Sequence, residues 1–247
     1  NVMQLNQKAK ARREQGLFAA EGRKMFLEAP REQLQEVYVS ESFLEKCSCR
    51  EHLEEVGYEV VSDSVFSKIS DTCTPQGVLC VLKQFHYNIE EMLRDKAPLF
   101  LLLENIQDPG NLGTMLRTGE GAGVSGIIMS RDTVDLYNPK VIRSTMGSIY
   151  RVPFYYADDF AAAVHQVQQA GVSVYAAHLR GKNSYACQDY TKGTAFLIGN
   201  EGNGLREETA ELADCYIRIP MEGKVESLNA AVASSILMYE AHRQRAI

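Results

Sequence analysis

Five consecutive apolar residues, Leu99-Phe100-Leu101-Leu102-Leu103, run directly into a polar, turn-forming segment that begins at Glu104. A strand that does not alternate must be covered on both faces, which is the situation of a central strand in a parallel α/β sheet. Further strands are expected at 126–130, 152–156, 172–177, 194–199 and 216–220, with helical patterns between most of them. Strands alternating with helices imply an α/β fold with a mostly parallel sheet. In such sheets ligands bind beyond the carboxyl ends of the strands. The unusual loops of this chain follow those ends.

A smaller α/β unit precedes this one. It reads as a helical stretch around Phe18 to Ala29, then strands at 36–40, 58–61 and 77–82, ending near Gln84. The charged segment 86–98, closed by Pro98, reads as a connection. The expected domains are therefore 1–84 and 98–247, with a linker at 85–97. With 247 residues, 45% hydrophobic and 23% charged, the chain can build a real core. No run of eighteen apolar residues and no signal-peptide pattern is present, so a cytoplasmic protein is expected. Beginning at Asn1 rather than Met leaves room for upstream residues, a targeting segment among them.

A formal charge of −6 argues against nonspecific coating of nucleic acid. The first 24 residues nonetheless carry Lys8, Lys10, Arg12, Arg13, Arg23 and Lys24 against only Glu14 and Glu21. This is either a solvated helix face or a local nucleic-acid footprint. The six cysteines lack metal-ligand spacing, so reduced, mostly buried thiols and no metal are expected. His52, His86, His165, His178 and His242 sit apart, without the motifs of metalloproteases or nucleophile-elbow hydrolases.

Three loops look chemical. In 104–118, Asp108-Pro109-Gly110 is a turn signal and Asn111 is placed to cap a helix starting near Leu112. Turn chemistry leaves Glu104, Asn105 and Arg117 without a purpose, and a guanidinium on that helix could grip phosphate or carboxylate. In 197–208, Gly199, Gly202 and Gly204 surround Asn200, Glu201 and Asn203. That density permits close approach of backbone to a ligand, although a plain strand-to-helix turn reads the same way. In 217–243, Ser227 reads as the cap of an Ala-rich helix with Val232, Ile236 and Tyr239 at helical spacing. Capping by Ser227 does not require Asn229.

In this order the loops resemble the three motifs of the SpoU group of SPOUT RNA methyltransferases. The first is similar to N-x-x-D-P-x-N-x-G-x-x-x-R-T at Asn105, Asp108, Pro109, Asn111, Gly113, Arg117 and Thr118. The second resembles G-x-E-G-x-G-L at Gly199–Leu205, and the third I-P-M-x-G-x-x-x-S-L-N at Ile219–Asn229. The resemblance covers the chain from about Leu99 onward. More loosely, "KAKARREQGLFAAEG" resembles the start of the accessory domain of the rRNA-directed branch, a small fold similar to ribosomal proteins that bind kinked RNA. Departures are small: Gly119 and Gly121 follow the Arg-Thr pair where alanine is usual, and Ala230 and Ala231 replace Val and Ser.

The resemblance implies a trefoil-knotted α/β catalytic domain that uses S-adenosylmethionine to methylate a ribose 2′-hydroxyl. It also implies a homodimer formed through the last helix, around Ala230 to Arg243. Carried over residue by residue, Gly199, Ile219 and Leu228 hold the adenosine through backbone groups. Asn200 lies beside them, and Ala177 and Leu179 in the 176–181 loop close the adenine pocket. Asn111, Arg117, Glu201, Ser227 and Asn229 are expected to converge on the hydroxyl and its neighbouring phosphate, and the six N-terminal cations to meet the RNA. In this family the arginine matching Arg117 is the usual candidate for the base. A guanidinium has a pKa above about 12, so holding phosphate is an equally economical role. Three alternatives stay open: a noncatalytic RNA-binding or ribosome-assembly protein on the same fold, methylation of a base, and a tRNA substrate. The extra domain favours rRNA of the 23S type.

Overall fold

The structure, a computed structural model, describes residues 1–246 and divides into two compact units. One comprises Asn1–Phe85 with Asp135–Tyr150, the other His86–Val134 with Arg151–Ile247.

The first unit holds a mixed four-stranded sheet of β1 (Leu17–Glu21), β2 (Leu34–Ser40), β3 (Glu59–Val61) and β4 (Val78–Lys83), in the order β1-β4-β2-β3. The expected helix at 18–29 is corrected here. Leu17–Glu21 pairs antiparallel with β4, and only Arg23–Leu27 is helical. Alanines favour a helix locally, but Gly16 takes the left-handed conformation (φ 64°) and ends the Ala9–Gln15 helix just before them. The chain leaves extended, and pairing with β4 buries Phe18, Ala19 and Ala20. Tertiary burial overrides propensity.

The N-terminal cations separate into two kinds. Lys8, Lys10, Arg13, Arg23 and Lys24 are exposed. Arg12 is 3% exposed and is withdrawn from any RNA-facing role. Its guanidinium donates to Asp135 Oδ2 at 2.7 and 2.9 Å and to the Leu5 carbonyl at 2.6 Å. Arg12→Ala loses charge-assisted bonds to a partly solvated Asp135 and a bond to Leu5, so it is expected to destabilise the first unit by roughly 1.5–3 kcal/mol. Urea unfolding measures this, with exposed Arg13→Ala staying within about 0.5 kcal/mol of the parent.

The cysteines also depart from expectation. Cys47 and Cys49, with Cα atoms 5.4 Å apart, form a disulfide, and only Cys80 of the free thiols is buried. That Cα separation is within ordinary disulfide reach.

The second unit is built on seven parallel strands. These are β5 (Leu99–Leu103), β6 (Gly126–Ser130), β7 (Phe154–Ala157), β8 (Ser173–Ala177), β9 (Asn183–Ser184), β10 (Thr194–Ile198) and β11 (Cys215–Arg218). Their order is β7-β6-β5-β10-β8-β11-β9, and every pairing is parallel. As the unalternating sequence requires, β5, β6 and β10 are buried throughout. The segment after His86 contributes to this core. Asn88 caps a short helix, Ile89–Met92, whose Ile89 and Met92 are buried against Phe100, Ile128 and Val164.

Candidate active site

The strands β5, β10, β8 and β11 are successive neighbours, and the loops 104–108, 199–206, 178–182 and 219–229 follow them. Parallel strands place all four loops at one edge of the sheet, beyond the carboxyl ends. The loops singled out in the sequence are thereby gathered by topology.

Two caps differ from the sequence reading, and both differences matter. Asp108, not Asn111, caps the Pro109–Ala122 helix, its Oδ1 accepting from the Asn111 N–H at 2.8 Å. Pro109 suits the first helical position because it has no N–H to satisfy there, so the helix starts earlier than expected. Asn111 keeps its side chain free for other work. In the third loop Asn229, not Ser227, caps the Ala230–Arg245 helix, accepting from the N–H groups of Ala231 and Val232. Ser227 is left exposed.

The freed amide of Asn111 joins the three loops. Its Nδ2 donates to Glu201 Oε1 at 3.0 Å, and its Oδ1 accepts from Asn229 Nδ2 at 3.0 Å. The directions are mutually enforcing. A carboxylate only accepts, so the Asn111 oxygen faces Asn229; the Asn229 oxygen is then left to cap its helix. Glu201 also accepts from the backbone N–H groups of Gln107 at 3.1 Å and Asp108 at 3.0 Å. Burial by itself raises the Glu201 pKa, but the bonds from Asn111, Gln107 and Asp108 outweigh it and hold the carboxyl below its usual range.

Glu201 thus clamps the 107–111 segment to its own loop through these bonds. A depressed pKa means that its contribution to loop stability is complete above the ordinary glutamate value of 4.5 and is lost as pH falls through the lowered one. Amide exchange at Gln107 and Asp108 is expected to stay protected at pH 5. In Glu201→Gln that exchange quickens by about tenfold, because a bond to a charged acceptor is lost.

Asn200 proves to be a loop builder. Its Oδ1 accepts from the N–H groups of Gly202 and Asn203, and its Nδ2 donates to the Asn105 carbonyl at 2.8 Å. Its backbone N–H and carbonyl are paired as well, with Gly204 at 3.0 and 2.9 Å. Glu104, which turn chemistry left without a purpose, is a buried carboxylate accepting from Arg206 N at 2.8 Å and Thr209 Oγ1 at 2.5 Å. It ties the end of β5 to the segment after β10. Arg206 in turn pairs with Asp132, after β6.

Beside the Glu201 clamp lies a cleft of about 310 Å³. Ala177, Leu179, Gly199, Asn200, Ile219 and Leu228, the six residues assigned to the cofactor by resemblance, all line it. So do Glu201 and Ser227. Met221 of the third motif and His178 of the 176–181 loop, to which the sequence assigned no role, also line it. Burial, then the charge of Arg180, lowers the His178 pKa. Arg117 is not on the cleft wall. It is exposed on the Pro109–Ala122 helix and, among the described residues, enters no hydrogen bond or ion pair. Thus Asn111, Glu201 and Asn229 come together, Ser227 stands on the adjacent wall, and Arg117 stands apart. Among the described residues no group of three or more His, Cys, Asp or Glu is placed to hold a metal ion.

Residues 98–239, which carry this cleft and clamp, match the SpoU rRNA Methylase family. The chain belongs to that family. Residues 1–80 match the MRM3-like substrate binding domain. One relative, the 23S rRNA (guanosine(2553)-2′-O)-methyltransferase RlmP of Bacillus subtilis, is 35% identical over 180 residues, covering 73% of this chain and 70% of its own. Another, the 23S rRNA (guanosine-2′-O-)-methyltransferase RlmB of Bordetella pertussis, is 32% identical over 222 residues, 87% of this chain and 91% of its own. Among solved SpoU-like structures, the AdoMet-bound rRNA methyltransferase of Sinorhizobium meliloti superposes with a TM-score of 0.83 at 32% identity, covering 98% of this chain and 92% of that one.

Proposed function

We propose that this SpoU protein transfers a methyl group from S-adenosylmethionine to a ribose 2′-hydroxyl of ribosomal RNA of the 23S type. The observation that carries the reading is the Glu201–Asn111–Asn229 relay, which ties three loops together, two of them lining one cleft at Glu201 and Ser227. The cleft suits the cofactor. Apolar Ala177, Leu179, Ile219 and Leu228 offer a surface for an adenine ring, and Gly199 brings bare backbone to the wall. When bound, S-adenosylmethionine supplies a methyl already activated on a sulfonium. The chain then has to orient the hydroxyl and steady its developing negative charge. Glu201, on the cleft wall, and Asn229 together hold Asn111, and Ser227 offers a hydroxyl on the cleft lining. Arg117, without a bonded partner among the described residues, holds the phosphate next to the reacting ribose.

In this reading residues 1–84 bind the RNA, 98–247 carry out the transfer, 85–97 lead into the second unit with Ile89 and Met92 packed in its core, and the protein works in the cytoplasm. Among the described residues no helix is long and apolar enough to cross a membrane. The test incubates the protein with 23S rRNA transcript and isotopically labelled S-adenosylmethionine, followed by nucleoside digestion and mass spectrometry. A 2′-O-methylnucleoside is expected. A base-methylated nucleoside, or no transfer together with no calorimetric affinity for the cofactor, overturns the reading.

The working form is a homodimer joined through the last helix. The sequence stripe Val232, Ile236 and Tyr239 is not its core face; that face is Ala230, Ala231, Ser234, Leu237, Met238 and Ala241. Val232 and Tyr239 are about half exposed, at 48% and 49%, and leave an apolar surface that a second copy would cover. Gly121 faces the same surface, where an added Cβ would lie 3.0 Å from the Tyr239 hydroxyl. Val232→Glu with Tyr239→Glu is expected to shift the mass measured by light scattering from dimer to monomer.

A further inference from the structure

The first unit contains a cavity of about 410 Å³, within the size range of small-ligand sites, that the methyl-transfer reading does not use. Arg23 and Lys46 stand at it with Ser42, Phe43, Asp63 and Gln76. Its walls are held by the chain's own bonds. On one side the buried carboxylate of Glu21 accepts from Ser70 Oγ at 2.7 Å, Thr72 Oγ1 at 3.3 Å and the Gln76 N–H at 2.8 Å, fixing the 70–76 segment. On the other, Ser42 Oγ donates to Asp63 Oδ1 at 2.6 Å, and Ser40 Oγ accepts from the Phe43 N–H at 3.2 Å.

The cations at this cavity are only partly engaged within the chain. Arg23 spends one guanidinium nitrogen on Ser48 Oγ, at 2.8 Å, and keeps the rest. Lys46 donates no hydrogen bond among the described residues, but its charge, after the bonds from Ser42 and Ser40, helps hold the Asp63 carboxyl below its usual range. Two cations alone would describe a phosphate site, but Asp63 opens into the same space and repels a bare anion. The ligand must offer a phosphate to Arg23 and Lys46 and N–H donors to Asp63, together with a flat face to Phe43. A nucleotide has all three. Only an unpaired one can present its base edge and phosphate to a concave pocket, since a duplex hides its bases and is read by shape.

We infer that this cavity binds a single unstacked nucleotide of the RNA substrate, its phosphate against Arg23 and Lys46 and its base edge toward Asp63. The inference rests on the reading that this chain acts on RNA. It places base selection in the first unit, separate from the methyl-transfer cleft.

The experiment uses the full chain and fluorescein-labelled 12-nucleotide RNAs, single-stranded or annealed to their complements, with fluorescence anisotropy as the readout. Single strands are expected to bind at least about tenfold more tightly than duplexes. Arg23→Ala with Lys46→Ala, both exposed and so compatible with folding, should weaken single-strand binding by about tenfold and flatten its logarithmic salt dependence by about 0.7 per lost phosphate contact. Asp63→Asn should reorder affinities among oligo-A, oligo-C, oligo-G and oligo-U. Equal binding of duplex and single strand, or a double variant that binds like the parent with the same salt dependence, overturns the inference. The two readings fail separately. A chain that methylates rRNA while the double variant binds RNA normally loses only the nucleotide pocket. A chain that transfers no methyl, yet binds single strands in a manner sensitive to Arg23 and Lys46, loses only the methyltransferase reading.

Discussion

Arg117→Ala is expected to lower kcat/KM for methyl transfer by about 10²–10³-fold, the range seen when a preorganised charge stabiliser is removed. Folding should be unaffected, because Arg117 is exposed and, among the described residues, has no bonded partner to lose. Cofactor affinity should hold as well, since Arg117 is not among the residues lining the cleft. The two roles open to this arginine separate in the salt dependence. A phosphate-holding guanidinium contributes to counterion release, so its loss should flatten the logarithmic salt dependence of RNA binding by about 0.7–0.9. Arg117→Lys then restores the slope, because the charge returns, but only part of the rate, because the planar two-point grip does not. A residue acting as a base predicts the opposite pattern: an unchanged slope in Arg117→Ala and a rate partly recovered as pH rises.

What the sequence made legible was the periodicity and the punctuation. The apolar run 99–103 could only be a doubly covered strand, and its observed bounds match to the residue. The loops that look overfurnished in sequence do lie together, because four adjacent parallel strands deliver them to one edge. Local rules failed where two answers were locally equal. Asn111 and Asp108 are both good caps, and Pro109 tips the choice to Asp108. Ser227 and Asn229 are both good caps, and the relay to Asn111 favours Asn229. In the first case the released residue, Asn111, could not be named until the third dimension showed which amide faced Glu201; in the second the cap itself, Asn229, joins the relay. Arg12 is the converse: a cation in a basic stretch looks like a nucleic-acid contact, and only the long-range carboxylate of Asp135, 123 residues away, makes it structural. Glu104 gave no signal beyond being unexplained, since its partners Arg206 and Thr209 are about a hundred positions distant.

Gly199→Ala is the second large effect, and it separates shape from chemistry at the cofactor cleft. A Cβ at Gly199 would lie 2.2 Å from the carbonyl carbon of Gly204 and from the nitrogen of Leu205, both backbone atoms. Backbone cannot rotate away as a flexible side chain can. The 199–204 turn is also pinned through the mutual backbone bonds of Asn200 and Gly204, at 2.9 and 3.0 Å, and through Asn200 Nδ2 on the Asn105 carbonyl. Relief therefore requires the turn to open, which moves Glu201 off Asn111 and distorts the wall of the cleft. Overpacking of this kind costs about 1–3 kcal/mol, so affinity for S-adenosylmethionine measured by calorimetry should fall roughly 10- to 100-fold. The matched control is Gly223→Ala in the third loop, where an added Cβ meets nothing within 4 Å and affinity should not change. If Gly199→Ala binds the cofactor as the parent does, the turn yields without disturbing the cleft. The close approach of Gly199 to Gly204 would then be a packing detail of the loop, and the adenosine-holding role proposed for its backbone would lose its physical basis.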